Sequence, residues 1–147
     1  FVALKTLAVP GNAILYSGDD TVKTNLSRYV PLLDVTLTDT PNEQVSVLYV
    51  GAKVDSSLLK QAVANDWWII WSTVASSEAI SIADIEGAVN RTVLIGEMED
   101  QLPGWRIGWM VGSEQANKLR AYKQSMTICS PSISQWAAYG FVSADNG

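Results

Sequence analysis

Leu102-Pro-Gly-Trp-Arg-Ile-Gly-Trp-Met-Val-Gly112 is the stretch whose reading decides the fold. Pro103-Gly104 is a turn signal. It launches a short apolar strand, Arg106–Val111, with one charged residue, Arg106. Just upstream, Thr92–Ile95 reads as a buried strand. Just downstream, Ser113 is placed to cap a helix carrying Ala116, Leu119, Tyr122 and Met126 at helical spacing. Ser130-Pro131 then opens a last helix, with Ile133, Trp136, Ala137 and Gly140 along it.

The same alternation runs back to the first residue. Phe1–Ala8 reads as the end of a helix, stopped by Pro10-Gly11-Asn12. Ala13–Tyr16 is a short strand, and Ser17-Gly-Asp-Asp20 is a turn able to cap a helix with Val22, Leu26, Tyr29 and Val30 on one side. Pro31 is expected to end that helix. Asp34–Thr38 and Val45–Val50 read as strands. Asp55 or Ser56 caps a helix with Leu58, Leu59, Ala62 and Val63, ended by Asp66. Trp67–Trp71 is nearly continuously apolar, as a strand covered on both faces is. Ser81-Ile-Ala-Asp84 resembles a capping box, with Ile82, Ile85 and Val89 on one face. Strands alternating with helices of about ten residues predict an α/β fold: a three-layer α/β/α sandwich on a mostly parallel central sheet.

Composition removes much of the usual chemistry. The chain has 147 residues, enough for one domain with a real core. Its net charge of −5 lacks the basic footprint of a nucleic-acid binder. No apolar run approaches the ~20 residues of a membrane span. There is no histidine, so Ser-His-Asp and Cys-His systems and His-ligated metals are excluded. The one cysteine, Cys129, can form neither an internal disulfide nor a thiolate zinc site, and it fits a reducing, cytoplasmic setting. No phosphate-cradling glycine loop is present.

Pro-Gly-Trp-Arg-Ile-Gly-Trp, followed at this distance by Ser130-Pro-Ser-Ile-Ser-Gln-Trp-Ala-Ala138, resembles the large domain of fold-type-I aminotransferases, which depend on pyridoxal phosphate (PLP). The likeness covers nearly the whole chain. Ala3–Tyr16 looks like the helix, Pro-Gly turn and strand that follow the family's phosphate-binding turn. Leu58–Ile70 looks like the helix and strand ahead of its cofactor aspartate. The resemblance implies that Arg106–Val111 runs antiparallel to the other strands, and that the family's small C-terminal domain is absent from residues 1–147.

Position by position, the resemblance predicts a replaced cofactor site. The family lysine, which forms an imine with the cofactor, falls on Met98, a thioether that cannot. Glu97 and Ile95 stand where the family has serines. The aspartate that keeps the pyridine nitrogen protonated falls on Ser72, which can hydrogen-bond a neutral ring, and the neighbouring tyrosine position falls on Ala75. Gly-Ala-Lys-Val-Asp-Ser-Ser, residues 51–57, replaces the Asn-Pro-x-Gly loop. The nearest amines in sequence, Lys118 and Lys123, are expected on a helix elsewhere. Arg106 matches the family residue that grips the cofactor phosphate in bidentate fashion. Glu97, Glu99 and Asp100 surround it in sequence. Each, at about 6 Å and an effective dielectric of ~20, costs a phosphate charge roughly 3 kcal/mol. Arg106 is therefore read either as an ion pair with these acids or as a retained anion contact. The acids are read as a solvated loop, Cys129 as a small core residue and the six tryptophans as mostly core, with Trp105 a candidate for a subunit contact.

These readings predict a non-catalytic, aminotransferase-like domain: no enzyme, no catalytic residue, no metal, and no covalent PLP. Its expected partner is a second copy or another aminotransferase-like chain. The alternative is a PLP-dependent aminotransferase or lyase fragment completed by further segments or another chain. A third reading is a binding module for a phosphate-bearing small molecule at Arg106.

Overall fold

The computed structural model describes residues 1–51, 54–73, 82–98, 100, 102–105, 107–112 and 114–145. Six strands form one sheet: β1 (Ala13–Ser17), β2 (Thr36–Thr38), β3 (Val45–Val50), β4 (Trp68–Ser72), β5 (Thr92–Glu97) and β6 (Gly108–Gly112). Their spatial order is β2-β1-β3-β4-β5-β6. All neighbours pair in parallel except β5 and β6, which are antiparallel. The helices are α1 (Val2–Leu7), α2 (Asp20–Ser27), α3 (Val30–Leu33), α4 (Ser56–Ala64), α5 (Ala88–Arg91), α6 (Ala116–Met126) and α7 (Ser132–Asp145).

The period of two along each strand sorts side chains between the two helical layers. Leu15, Leu48, Ile69 and Trp71 meet Leu59 and Ala62 of α4 and Ala88 of α5 on one face. Ile14, Val47, Ile70 and Val93 meet Ala3, Leu4 and Leu7 of α1, Leu26 of α2 and Leu119 of α6 on the other. Helices on both faces of a mostly parallel sheet make the three-layer sandwich that the alternation predicts, and β6 runs against its neighbour as the family likeness implies.

Local departures have local causes. Val22, Leu26, Tyr29 and Val30 do not share one helix. The chain bends at Arg28–Tyr29, and Pro31 sits in the first turn of α3, where its missing N–H has no bond to lose. Asp34 follows α3 in the left-handed region at φ 54°, so β2 begins two residues later, at Thr36. The predicted helix through Ile82, Ile85 and Val89 is split as well. A 3-10 turn spans Ile82–Asp84, and Gly87 reverses the chain at φ 80° ahead of the single turn of α5. Val89 is left half exposed. Asp55 caps α4 by accepting from the Ser57 backbone N–H at 3.1 Å, and Asp19 caps α2 through the N–H groups of Thr21 and Val22. The Ser81 and Ser113 caps fall outside the described residues.

Candidate functional site

In a parallel sheet the carboxyl ends of the strands open onto the loops, and ligands bind there. The strand register places Tyr49, Ser72, Ile95 and Glu97 on one face at that end. They line a cavity of about 470 Å³, together with Gly51 and with Asp19, Thr21, Val22 and Asn25 at the start of α2. The size suits a small molecule, since such sites run roughly 300–1,000 Å³. Val22 closes the wall tightly. A Cβ on either Gly18 or Gly51 would stand 2.7 Å from its methyl carbons, so both positions need glycine.

Tyr49 and Ser72 are joined at the floor. The tyrosine hydroxyl is pushed above its ordinary range chiefly by burial; the hydrogen bond from Ser72 opposes the shift, and the Glu97 carboxylate adds to it. Tyr49 is therefore a neutral phenol at physiological pH, a donor and acceptor rather than a base. The cavity offers Ser72, Tyr49, Thr21 and Asn25 as neutral hydrogen-bonding groups, with Asp19 and Glu97 as its acids. This set suits a polar aromatic ring better than a phosphate.

A second cavity, of about 540 Å³, adjoins the first and shares Asn25, Tyr49, Ile95, Gly96 and Glu97 with it. Its remaining wall includes Phe1, Tyr29, Trp109 and two cations, Arg28 and Lys123. Lys123 lies on α6 as expected of it, but that helix is not remote: the side chain borders this cavity and donates from Nζ to Ser130 Oγ at 2.9 Å.

Of the residues singled out in the sequence, Ser72 is at the site and Met98 is beside it. Met98 continues the β5–β6 pairing by one step, its N–H donating to the Ile107 carbonyl at 2.9 Å. Its own carbonyl accepts from the Leu102 N–H at 2.7 Å, which closes the following turn. Met98 is half-buried and lines neither cavity. Arg106, Glu99 and Ala75 lie outside the described residues. Cys129 is exposed rather than core. Among the described residues no group of three or more potential ligands could hold a metal ion, and no helix is long and apolar enough to cross a membrane.

Tyr49 escapes the sequence reading and Lys123 is expected away from the site, although each carries a signal. Tyr49 follows Val47 by one strand period at the carboxyl end of β3. Lys123 follows the buried Leu119 by one helical turn, which puts it on the inward face of α6.

This architecture is that of the fold-type-I aminotransferases. It superimposes on the N-succinyldiaminopimelate aminotransferase of Mycobacterium tuberculosis with a TM-score of 0.74 at 19% identity, over 99% of this chain and 48% of that one. YbdL from Escherichia coli, described with a methionine aminotransferase function, matches with a TM-score of 0.77 at 15% identity, over 99% and 47%. In sequence, the chain is 27% identical over 118 residues to an aspartate aminotransferase of Thermotoga maritima, across 75% of this chain and 31% of that enzyme. No family model matches. The chain thus spans about half the length of the solved structures and a third of the curated relative. The expectation that it is no enzyme is corrected here, because these relatives are enzymes in sequence and in fold alike.

Proposed function

We propose that this chain forms the large-domain part of a PLP-dependent aminotransferase whose active site is completed by further segments or by another chain. The observation that carries the reading is the cavity at the carboxyl ends of β3, β4 and β5, lined by Ser72, the residue that the family likeness puts opposite the ring nitrogen. The aspartate aminotransferase likeness across three quarters of the chain supports it.

PLP, when bound, supplies an aldehyde that captures an amino group and a ring that accepts electrons. The chain's own residues hold and orient it. Ser72, held by its hydrogen bond to Tyr49, would face the ring nitrogen and turn its hydroxyl to it on binding, and Arg106, by the family likeness, would meet the phosphate. Val22 and Ile95, the apolar side chains of the cavity wall, would exclude water from the bound ring. Met98 leaves the family's lysine position without an amine. The small C-terminal domain of the family comes from beyond residues 1–147 or from a partner. That partner is a second copy or another aminotransferase-like chain, and the exposed Trp105 fits a contact with it.

Titrating PLP into the protein and following tryptophan fluorescence tests the reading. Saturable quenching is expected, with affinity about tenfold weaker in Ser72→Ala, as one lost hydrogen bond implies. Quenching that never saturates, or that is identical in the variant, counts against the site.

A further inference from the structure

The cavity in front of Ser72 is electrically one-sided. Among the described residues its lining holds no lysine or arginine, and its two charged groups, Asp19 and Glu97, are both acids. The cations Arg28 and Lys123 line only the adjoining cavity, and the Lys123 ammonium is turned to Ser130 Oγ at 2.9 Å. The two acids are not equivalent. Asp19 Oδ1 accepts from the Thr21 and Val22 N–H groups at 3.0 and 3.1 Å, so much of its charge serves the start of α2. Glu97 makes no ion pair among the described residues. It ends β5, two positions beyond Ile95, which pairs with Ser72. Its neighbour Met98 lines neither cavity, whereas Glu97 lines both. The Glu97 charge is felt at the cavity floor, where it helps the Tyr49 hydroxyl keep its proton. A concave wall carrying one sign of charge concentrates the opposite sign. The phenol oxygen of Tyr49 and the amide oxygen of Asn25 are further acceptors around the same space. An ammonium, with three N–H donors and a full charge, is met by this set. A neutral aldehyde finds no charge to meet and no amine to capture it.

We propose that this cavity selects the amine form of the cofactor, pyridoxamine phosphate, over the aldehyde form and holds it without a covalent bond, the Glu97 carboxylate meeting its ammonium. The proposal rests on the reading that the cofactor ring lies at Ser72. It makes Glu97 a selectivity residue. The family likeness has a serine at this position, and a neutral serine does not tell a charged amine from a neutral aldehyde or alcohol by charge. A carboxylate does, because selectivity is a difference of affinities and only the cation gains from the charge.

The test titrates the full chain with three ligands of nearly one shape and follows tryptophan fluorescence. They are pyridoxamine phosphate, PLP, and pyridoxine phosphate, whose alcohol is a neutral isostere of the amine that forms no imine. Pyridoxamine phosphate is expected to bind roughly two- to fivefold more tightly than pyridoxine phosphate, as a solvent-exposed ion pair implies. High salt should narrow the gap, because Glu97 stands exposed at the cavity mouth. PLP is expected to bind no more tightly than the alcohol. Glu97→Gln removes the charge at nearly constant volume and should bring the amine and the alcohol to equal affinity; Glu97→Lys should reverse their order. Each comparison is a ratio within one protein, so a variant that is only partly folded shifts both affinities alike and leaves the ratio readable. Equal, saturable binding of amine and alcohol by the wild type overturns the proposal and leaves the cofactor site standing. So does an amine preference that survives intact in Glu97→Gln, or a PLP affinity far above that of pyridoxine phosphate. Absence of saturable binding for all three ligands overturns the cofactor site as well.

Discussion

The middle of the sheet and its β6 edge are built to different standards. At β1, β3 and β4 both faces are covered, and Val47, Leu48, Val50 and Ile69 have no exposed surface at all. At the β6 edge the strand is open: Trp109, Met110 and Val111 are exposed, and beyond it α7 turns Ile133, Trp136 and Tyr139 to solvent. The tryptophans divide along the same line. Trp67 and Trp71 are buried, whereas Trp105, Trp109 and Trp136 are not, so the expectation of a mostly core set holds for half the molecule only. An apolar residue type marks surface that some element will cover. It does not say that the covering element lies within the same 147 residues.

The contrast is broken most directly by truncation in each region. Leu48→Ala is expected to cost about 2–5 kcal/mol in chemical denaturation, because a fully buried side chain leaves a cavity. Trp136→Ala on the exposed face of α7 is expected to stay within about 0.5 kcal/mol despite removing a larger side chain. Equal losses would show that α7 is covered in solution. The join between the regions gives the next effect. β5 and β6 approach so closely that a Cβ on Gly96 would stand 2.4 Å from the Trp109 ring and 2.6 Å from Thr73 Oγ1. Gly96→Ala is therefore expected to destabilise by about 1–3 kcal/mol. Most of that should be recovered in the double variant with Trp109→Ala if the ring is the obstacle.

This division also governs what the sequence discloses. In the covered half the strands are legible as short apolar runs, since Ala13–Tyr16, Val45–Val50 and Trp67–Trp71 are apolar on both faces, and these spans lie within a residue of the observed strands. Asp55 was legible as a cap because its side chain acts on its own chain two residues on. Pro31 misleads because a proline marks a break without saying whether a helix stops or restarts there, and the break at Gly87 lies inside a run whose apolar spacing reads as one helix. The site was half legible. Ser72 could be placed by counting along a strand. Lys123 comes from a helix more than fifty positions away in sequence, and spacing alone says nothing of which cavity a helix borders.

The smallest effects come from titration, and they again separate inside from outside. The Tyr49 hydroxyl is held above its ordinary value, mainly by burial. Below the unfolded value, near 10, the phenol is neutral in both states and folding is indifferent to it. As pH rises past that value, the unfolded chain releases the proton while the folded chain keeps it, so stability falls until the folded value is passed. Tyr49→Phe is expected to flatten that alkaline loss, at a modest cost for the lost Ser72 bond at neutral pH. Asp55, on the surface, runs the other way. Hydrogen bonds from the Ser57 hydroxyl and backbone N–H hold its carboxyl below the usual range. Its contribution is present above the unfolded value, near 4, and is lost as pH falls through the folded one. Melting temperatures of Asp55→Asn and the wild type should therefore converge in acid and separate towards neutrality. A constant gap across that range would show that the cap at α4 works through geometry alone, with no part played by the charge.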